Sequence, residues 1–321
     1  MSLGEMSWNI PLWFDIWLAG MAGGAYLIAF LANLYSGGTQ KNLFRLAVYT
    51  GVPLAIIGVL LLVIDLGTPI WFWHLFTGFL PVAVMSMGTW TLVAFLIIAF
   101  IMMILWVIED DATRNPQAYS YNMSGIAQRI SGFLSWVNII FAVLLITYPG
   151  ALLAATSQPI WSSNFLLPAL FVASAASTGA ALIILMALVM NAVNKSSSSA
   201  LNSTVKWLFG STGWQISRET IRKIAKSLIG IIILEVAILA AYAIWLGVSG
   251  AAGASEALSL LTIGTLAVPF WIVMVGIGLF IPLLLLLTNR AKATFFIMAS
   301  ASCVLLGGLA LRAIMIVGGQ L

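Results

Sequence analysis

The sequence predicts an all-α integral membrane protein of eight transmembrane helices, grouped most simply as two four-helix bundles. Three observations carry that prediction. Of 321 residues, 62% are hydrophobic and only 7% are charged, which leaves no charged surface for a soluble domain. Runs of about twenty apolar residues recur along the whole chain, each long enough to cross ~30 Å of hydrocarbon as a helix. Such runs must satisfy their own backbone polar groups in lipid, and a helix does so within one segment. Residues 1–321 therefore read as one polytopic domain, with candidate sub-bundles 1–156 and 157–321. Neither a soluble domain nor a cleavable signal peptide is expected, because the first apolar segment is too long and starts without a basic flank.

The eight spans are read at about 9–35, 43–66, 87–109, 132–155, 164–192, 224–248, 264–288 and 291–318. Short Gly-, Pro- and Ser-rich stretches connect them. The longest connection, 193–223, opens on a Ser run. It is amphipathic near KWLFGSTGWQISRETIRK, as expected of a segment lying on the membrane surface.

Charge orients the spans. Lys41, Arg45, Arg114, Arg129, Lys195, Lys206, Arg218, Arg222, Lys223, Lys226, Arg290 and Lys292 fall on one side, twelve of the thirteen basic residues. The thirteenth, Arg312, is inside a span. The positive-inside rule then places both termini outside a cytoplasmic membrane. An internal repeat is also suggested. AGGAYLIAFLA in span 1 faces TGAALIILMAL in span 5, matching Gly24 with Gly179 and Ala25 with Ala180. Four spans per unit would make two parallel bundles.

Composition excludes several redox centres. One cysteine, Cys303, cannot supply the roughly four thiolates of an iron–sulfur cluster, and one histidine, His74, cannot make a bis-histidine haem site. No haem, iron–sulfur cluster or other metal site is expected in this chain.

Ionisable residues inside spans are the functional candidates, because burying charge in lipid costs a few kcal/mol or more. Asp15 lies near the outer end of span 1, Asp65 at the outer end of span 2 and Arg312 near the outer end of span 8. Glu235 lies midway along span 6. His74 follows Asp65 in the loop DLGTPIWFWHLFTG, and Tyr148 closes span 4 in ITYPG at the same outer face. Each has a plainer alternative. Asp65 would cap a turn, His74 would sit in an aromatic belt with Trp71 and Trp73, and Glu235 would be a neutral buried carboxyl. Arg312 would snorkel to the interface or pair with Asp15 or Asp65. Asp15 shares its helix with Gly20, Gly23 and Gly24, small residues that let a helix or a flat ligand come close. Such groups at one depth suit a molecule with a polar head and an apolar body, such as a quinone, whose reduction takes up protons. A channel or transporter would also explain buried charge, with broken helices near the midplane.

The motifs then resemble a known family. PLWFDIWLAGMAGGAYLIAFLANLY, DLGTPIWFWHLFTGFLPVAVMSMGTW, TYPGALLAATSQPIWSSNFLLPALFVASAASTG and LGGLALRAIMIVGGQ occur in order along the chain. They are similar to the signatures of the NrfD/PsrC-type membrane subunits of iron–sulfur molybdoenzyme complexes such as polysulfide reductase. The resemblance implies eight or nine helices without haem and a menaquinone or other quinone site near the outer surface. It implies two partners on that face, a ferredoxin-like iron–sulfur subunit and a catalytic molybdopterin or other reductase subunit, with membrane lipids around the chain and no nucleic acid. It places Asp15 where such members carry a quinone-lining histidine, and it matches Tyr148 and, in role, Asp65.

The expectation is a quinone-reactive subunit of an oxidoreductase complex rather than an enzyme alone. It would exchange electrons between the menaquinone pool and an extracytoplasmic iron–sulfur subunit and anchor the complex. Asp15, Asp65, His74, Tyr148 and Arg312 would surround the quinone head, and Glu235 would lie on a proton path from the inner side. The alternatives are a proton-translocating or transport subunit, and a membrane anchor without a working quinone site.

Overall fold

A computed structural model describes residues 10–65, 70, 84–115, 123–156, 161, 165–195, 214–250, 253–288 and 293–320. Nine helical elements follow one another among these residues. They are α1 (Ile10–Tyr35), α2 (Lys41–Asp65), α3 (Val84–Arg114), α4 (Met123–Ala154) and α5 (Leu166–Val193), then α6 (Arg218–Val248), α7 (Ala254–Thr262), α8 (Pro269–Leu287) and α9 (Thr294–Gly318). Eight are long and apolar enough to cross a membrane, all but α7, and the protein is a multi-pass membrane protein.

The eight expected spans are all present, with two local corrections. The short helix α7 lies outside every expected span. Its nine residues are too few to span a bilayer, and it starts at Gly253, whose φ of 77° suits a residue without a Cβ. The amphipathic stretch before span 6 is the second. Its tail, from Arg218, forms the first turns of α6 rather than a surface segment. Ser217 sets that boundary, since its side chain accepts a hydrogen bond from Thr220 N at 3.0 Å, the usual geometry of an N-cap. Just upstream, Asn191 of α5 holds Ile216 through both ends of its amide. Asn194 donates to Trp214 O at 3.0 Å. Residues 196–213 lie outside the described residues.

The helices do not share the interior equally. In α1 and α5, 72% of the central window is buried, against 28% in α3, α4 and α6. The sequence explains this difference. Both central helices carry dense small residues, and without a hydrophobic force between helices in lipid, close backbone packing is what joins them. A Cβ added to Gly24 would collide with the Ala175 carbonyl, and one added to Gly179 would collide with the backbone of Gly24 and Ala25. The two positions matched by the suspected repeat are therefore the point where α1 and α5 cross. A second close crossing joins α8 to α9, where Gly278 and Gly307 meet backbone to backbone.

Side chains tie the remaining elements to this centre. On the basic side, Arg45 of α2 bridges to Glu109 at 2.6 Å and Asp110 at 2.8 Å on α3 and lies over the Trp106 ring. Toward the other side, Trp17 of α1 donates to Leu305 O of α9 at 3.1 Å. Trp161 donates to Met315 O at 2.7 Å, pinning the segment before α5 against the end of α9.

Candidate functional site

The ionisable groups inside the spans form two adjoining clusters. The first is built by α1 to α4. Asp15 lies about one and a half turns into α1 and is 1% exposed. Its carboxylate is pressed against α2, where a Cβ on Gly58 would come within 2.8 Å of Asp15 Oδ1. Tyr148 of α4 lays its ring on Gly88 of α3, where an added Cβ would be 2.6 Å from Cε2. Each glycine thus makes room for the polar side chain that lies on it.

Polar atoms in this layer lack partners. Both carboxylate oxygens of Asp15, the indole N–H of Trp13 and the hydroxyl of Ser86 are buried, with no hydrogen-bond partner among the described residues. Buried polar groups are nearly always satisfied, and each unmade bond costs about 1–3 kcal/mol. A carboxylate with both oxygens orphaned is the mark of a place completed by something else, water or a ligand with its own donors.

The second cluster joins α1, α5, α6 and α9. Arg312 of α9 is fully buried at 0% exposure. Its Nη1 donates to Gly308 O at 2.7 Å and to Ser174 Oγ at 3.3 Å, and its Nε donates to Ile16 O at 3.3 Å. The guanidinium lies over the Phe171 ring. It also fills the space beside Gly20, where a Cβ would be 2.6 Å from Nη2. Glu235 of α6, 3% exposed, accepts from the Ser177 hydroxyl at 2.7 Å. Ser174, which accepts from Arg312, and Ser177, which donates to Glu235, are neighbours on α5, so one helix face holds both ionisable groups. The Nη2 of Arg312 has no hydrogen-bond partner among the described residues.

Two expected placements differ. Arg312 does not snorkel, and it forms no ion pair with Asp15. Its partners are Ser174 and the carbonyls of Ile16 and Gly308, because the α9 register turns it inward between α1 and α5. It is nevertheless linked to the first cluster, since Ile16, whose carbonyl it holds, follows Asp15 directly. Asp65 ends α2, but its side chain and the whole of His74 lie outside the described residues.

Sequence reading missed Ser174, Ser177, Trp13 and Ser86. The signal for the two serines is present in SAASTG, where hydroxyls three and four residues apart share a helix face. Ser86 and Trp13 carry no such pattern. Glu235 also faces a narrow crevice with Met274, Gly278 and Gly307. Here α8 is π-helical over Pro269–Phe280, a widened geometry often found at functional positions.

Comparison with known proteins covers the whole chain. Residues 2–321 match the family model described as polysulphide reductase, NrfD. The sequence is similar to protein NrfD of Escherichia coli, with 26% identity over 99% of its own length and 96% of that protein. It is similar to a polysulfide reductase chain of Wolinella succinogenes, with 27% identity over 98% of its own length and 94% of that protein. A protein NrfD homolog of Haemophilus influenzae is 29% identical over 58% of the present sequence and 60% of that protein.

Proposed function

Because the chain belongs to the polysulphide reductase NrfD family, we propose that it is the quinone-reactive membrane subunit of a multi-subunit oxidoreductase. In this reading it exchanges electrons between the menaquinone pool and an iron–sulfur subunit on the outer face, and it anchors the complex in the cytoplasmic membrane with both termini outside. The kinship with a polysulfide reductase chain supports a place in such a complex. The observation that carries the reading is the Asp15 carboxylate, buried between α1 and α2 with neither oxygen satisfied among the described residues.

These residues fit a quinone head. A quinone, when bound, supplies two-electron chemistry coupled to two protons and passes the electrons to a separate protein. Tyr148 would hold a carbonyl oxygen, since it offers an O–H. Asp15 would take or give a proton at its free carboxylate, the role a general base or acid needs within hydrogen-bond reach. Asp65 and His74 would add further proton-exchanging groups at the outer rim. Arg312 fixes the α1 backbone at Ile16 and so orients the turn that carries Asp15.

The proton route proposed for the inner side runs through Glu235, which accepts from Ser177, while Arg312, permanently charged, holds the α1 turn that carries Asp15. One observation favours the second reading, a proton-translocating subunit. Glu235 faces the π-helical part of α8, where backbone geometry departs from the α-helix. The two readings combine if the protons consumed at Asp15 enter from the inner side.

The test is Asp15→Asn in the intact complex. Asn keeps the size but cannot act as the base. Quinol turnover is expected to fall by about 100-fold, within the range of a lost general base, with assembly unchanged. Wild-type turnover in the assembled variant would remove Asp15 from the chemistry.

A further inference from the structure

The basic face carries a cavity unconnected with the groups above. The C-terminal end of α5 and the N-terminal ends of α6 and α9 enclose a volume of about 600 Å³, well within the ~300–1,000 Å³ of ligand pockets. Lys195, Arg218 and Arg222 line it, and no acidic side chain does so among the described residues. The nearest acid in sequence, Glu219, is instead bridged to Lys223 at 2.8 Å. Leu188, Ile221 and Ile297 form an apolar floor, so the cavity is cationic at its rim and greasy beneath.

Thr294, the first residue of α9, also lines the cavity, so the positive end of that helix adds to the three side-chain cations.

We propose that this cavity binds the headgroup phosphate of an anionic phospholipid. Arg218, Arg222 and Lys195 hold the phosphate, and the apolar floor receives the start of the acyl chains. Arginine suits the phosphate because its fork matches two oxygens at once. Basic pockets between helices at a membrane face are where such headgroups bind. A soluble phosphate monoester offers the same anionic oxygens, but the cavity sits at the ends of three membrane spans and its floor has no use for a ligand without a tail.

The experiment is native mass spectrometry of the full chain released from phosphatidylcholine nanodiscs that contain a minor fraction of phosphatidylglycerol. Wild type is expected to retain one phosphatidylglycerol in preference to phosphatidylcholine. The double variant Arg218→Gln, Arg222→Gln is expected to lose that preference by about thirtyfold, the effect of two basic contacts. Lys226→Gln, on the same helix but outside the cavity, should leave it unchanged. Equal retention of the two lipids by wild type, a reading independent of whether the variants fold, overturns the proposal. Retention unmoved in the double variant also overturns it. In a third arm, glycerol 3-phosphate is titrated into the phosphatidylglycerol-bound protein in detergent. Retention of the lipid supports the proposal, whereas displacement of phosphatidylglycerol by glycerol 3-phosphate makes the ligand a soluble anion and overturns it.

Discussion

Ser177 of α5 donates its hydroxyl to Glu235 Oε2 of α6 at 2.7 Å, with both residues buried. This bond joins a carboxyl at membrane depth to a serine pair that ends on the Arg312 guanidinium. The pairing fixes what each replacement should do. Glu235→Gln keeps an acceptor for Ser177 but removes the carboxyl. In the intact complex, proton uptake from the basic face should fall at least about tenfold, while quinone affinity and assembly hold. Proton uptake measured in oriented vesicles checks this, and unchanged uptake would take Glu235 out of the path.

Arg312 predicts a different failure. Its fork serves the Ile16 carbonyl, the Gly308 carbonyl and Ser174 together. Arg312→Leu leaves the Ile16 and Gly308 carbonyls and Ser174 without their shared buried donor, a loss of about 1–3 kcal/mol for each bond left unmade. The variant should accumulate poorly and unfold at lower temperature in mild detergent.

The crossing of α1 and α5 is testable through glycine. Gly24→Val and Gly179→Val each drive a side chain into facing backbone. Overpacking of this kind costs about 1–3 kcal/mol, read as a lowered unfolding temperature. Gly132→Ala serves as the control, since nothing lies within 4 Å of its added Cβ, and it should unfold no earlier than wild type.

Arg45 anchors the basic end of α2 to α3. Arg45→Ala leaves Glu109 and Asp110 without their cation. The expected cost is about 1–3 kcal/mol, below that of a fully buried pair because Asp110 is partly exposed. Arg45→Lys should recover only part of it, since an ammonium cannot span two carboxylates with a rigid fork. Thermal unfolding of the three proteins decides the order.

The spans are legible in the sequence because lipid leaves the backbone few options. Length and apolar continuity place all eight, and the Gly24–Gly179 match in the sequence is realised as a helix crossing. What sequence does not provide is register between helices. Arg312 reads as a residue near an outer interface, yet the α9 rotation turns it toward Ser174, a fact set by packing against α1 and α5. The unsatisfied state of Asp15, Trp13 and Ser86 is likewise hidden, since it depends on which side chains the neighbouring helices bring. Helix α7 is silent in the sequence because its nine residues carry too little hydrophobic signal beside two long spans.

The most direct test of the proposed quinone site is photolabelling of the purified complex with an azido-menaquinone analogue, followed by peptide mapping. Label is expected on the α1 peptide around Asp15 and on the α4 peptide around Tyr148, suppressed by excess menaquinone. Label confined to other helices, or no competed label on this chain, would contradict a quinone head bound between Asp15 and Tyr148.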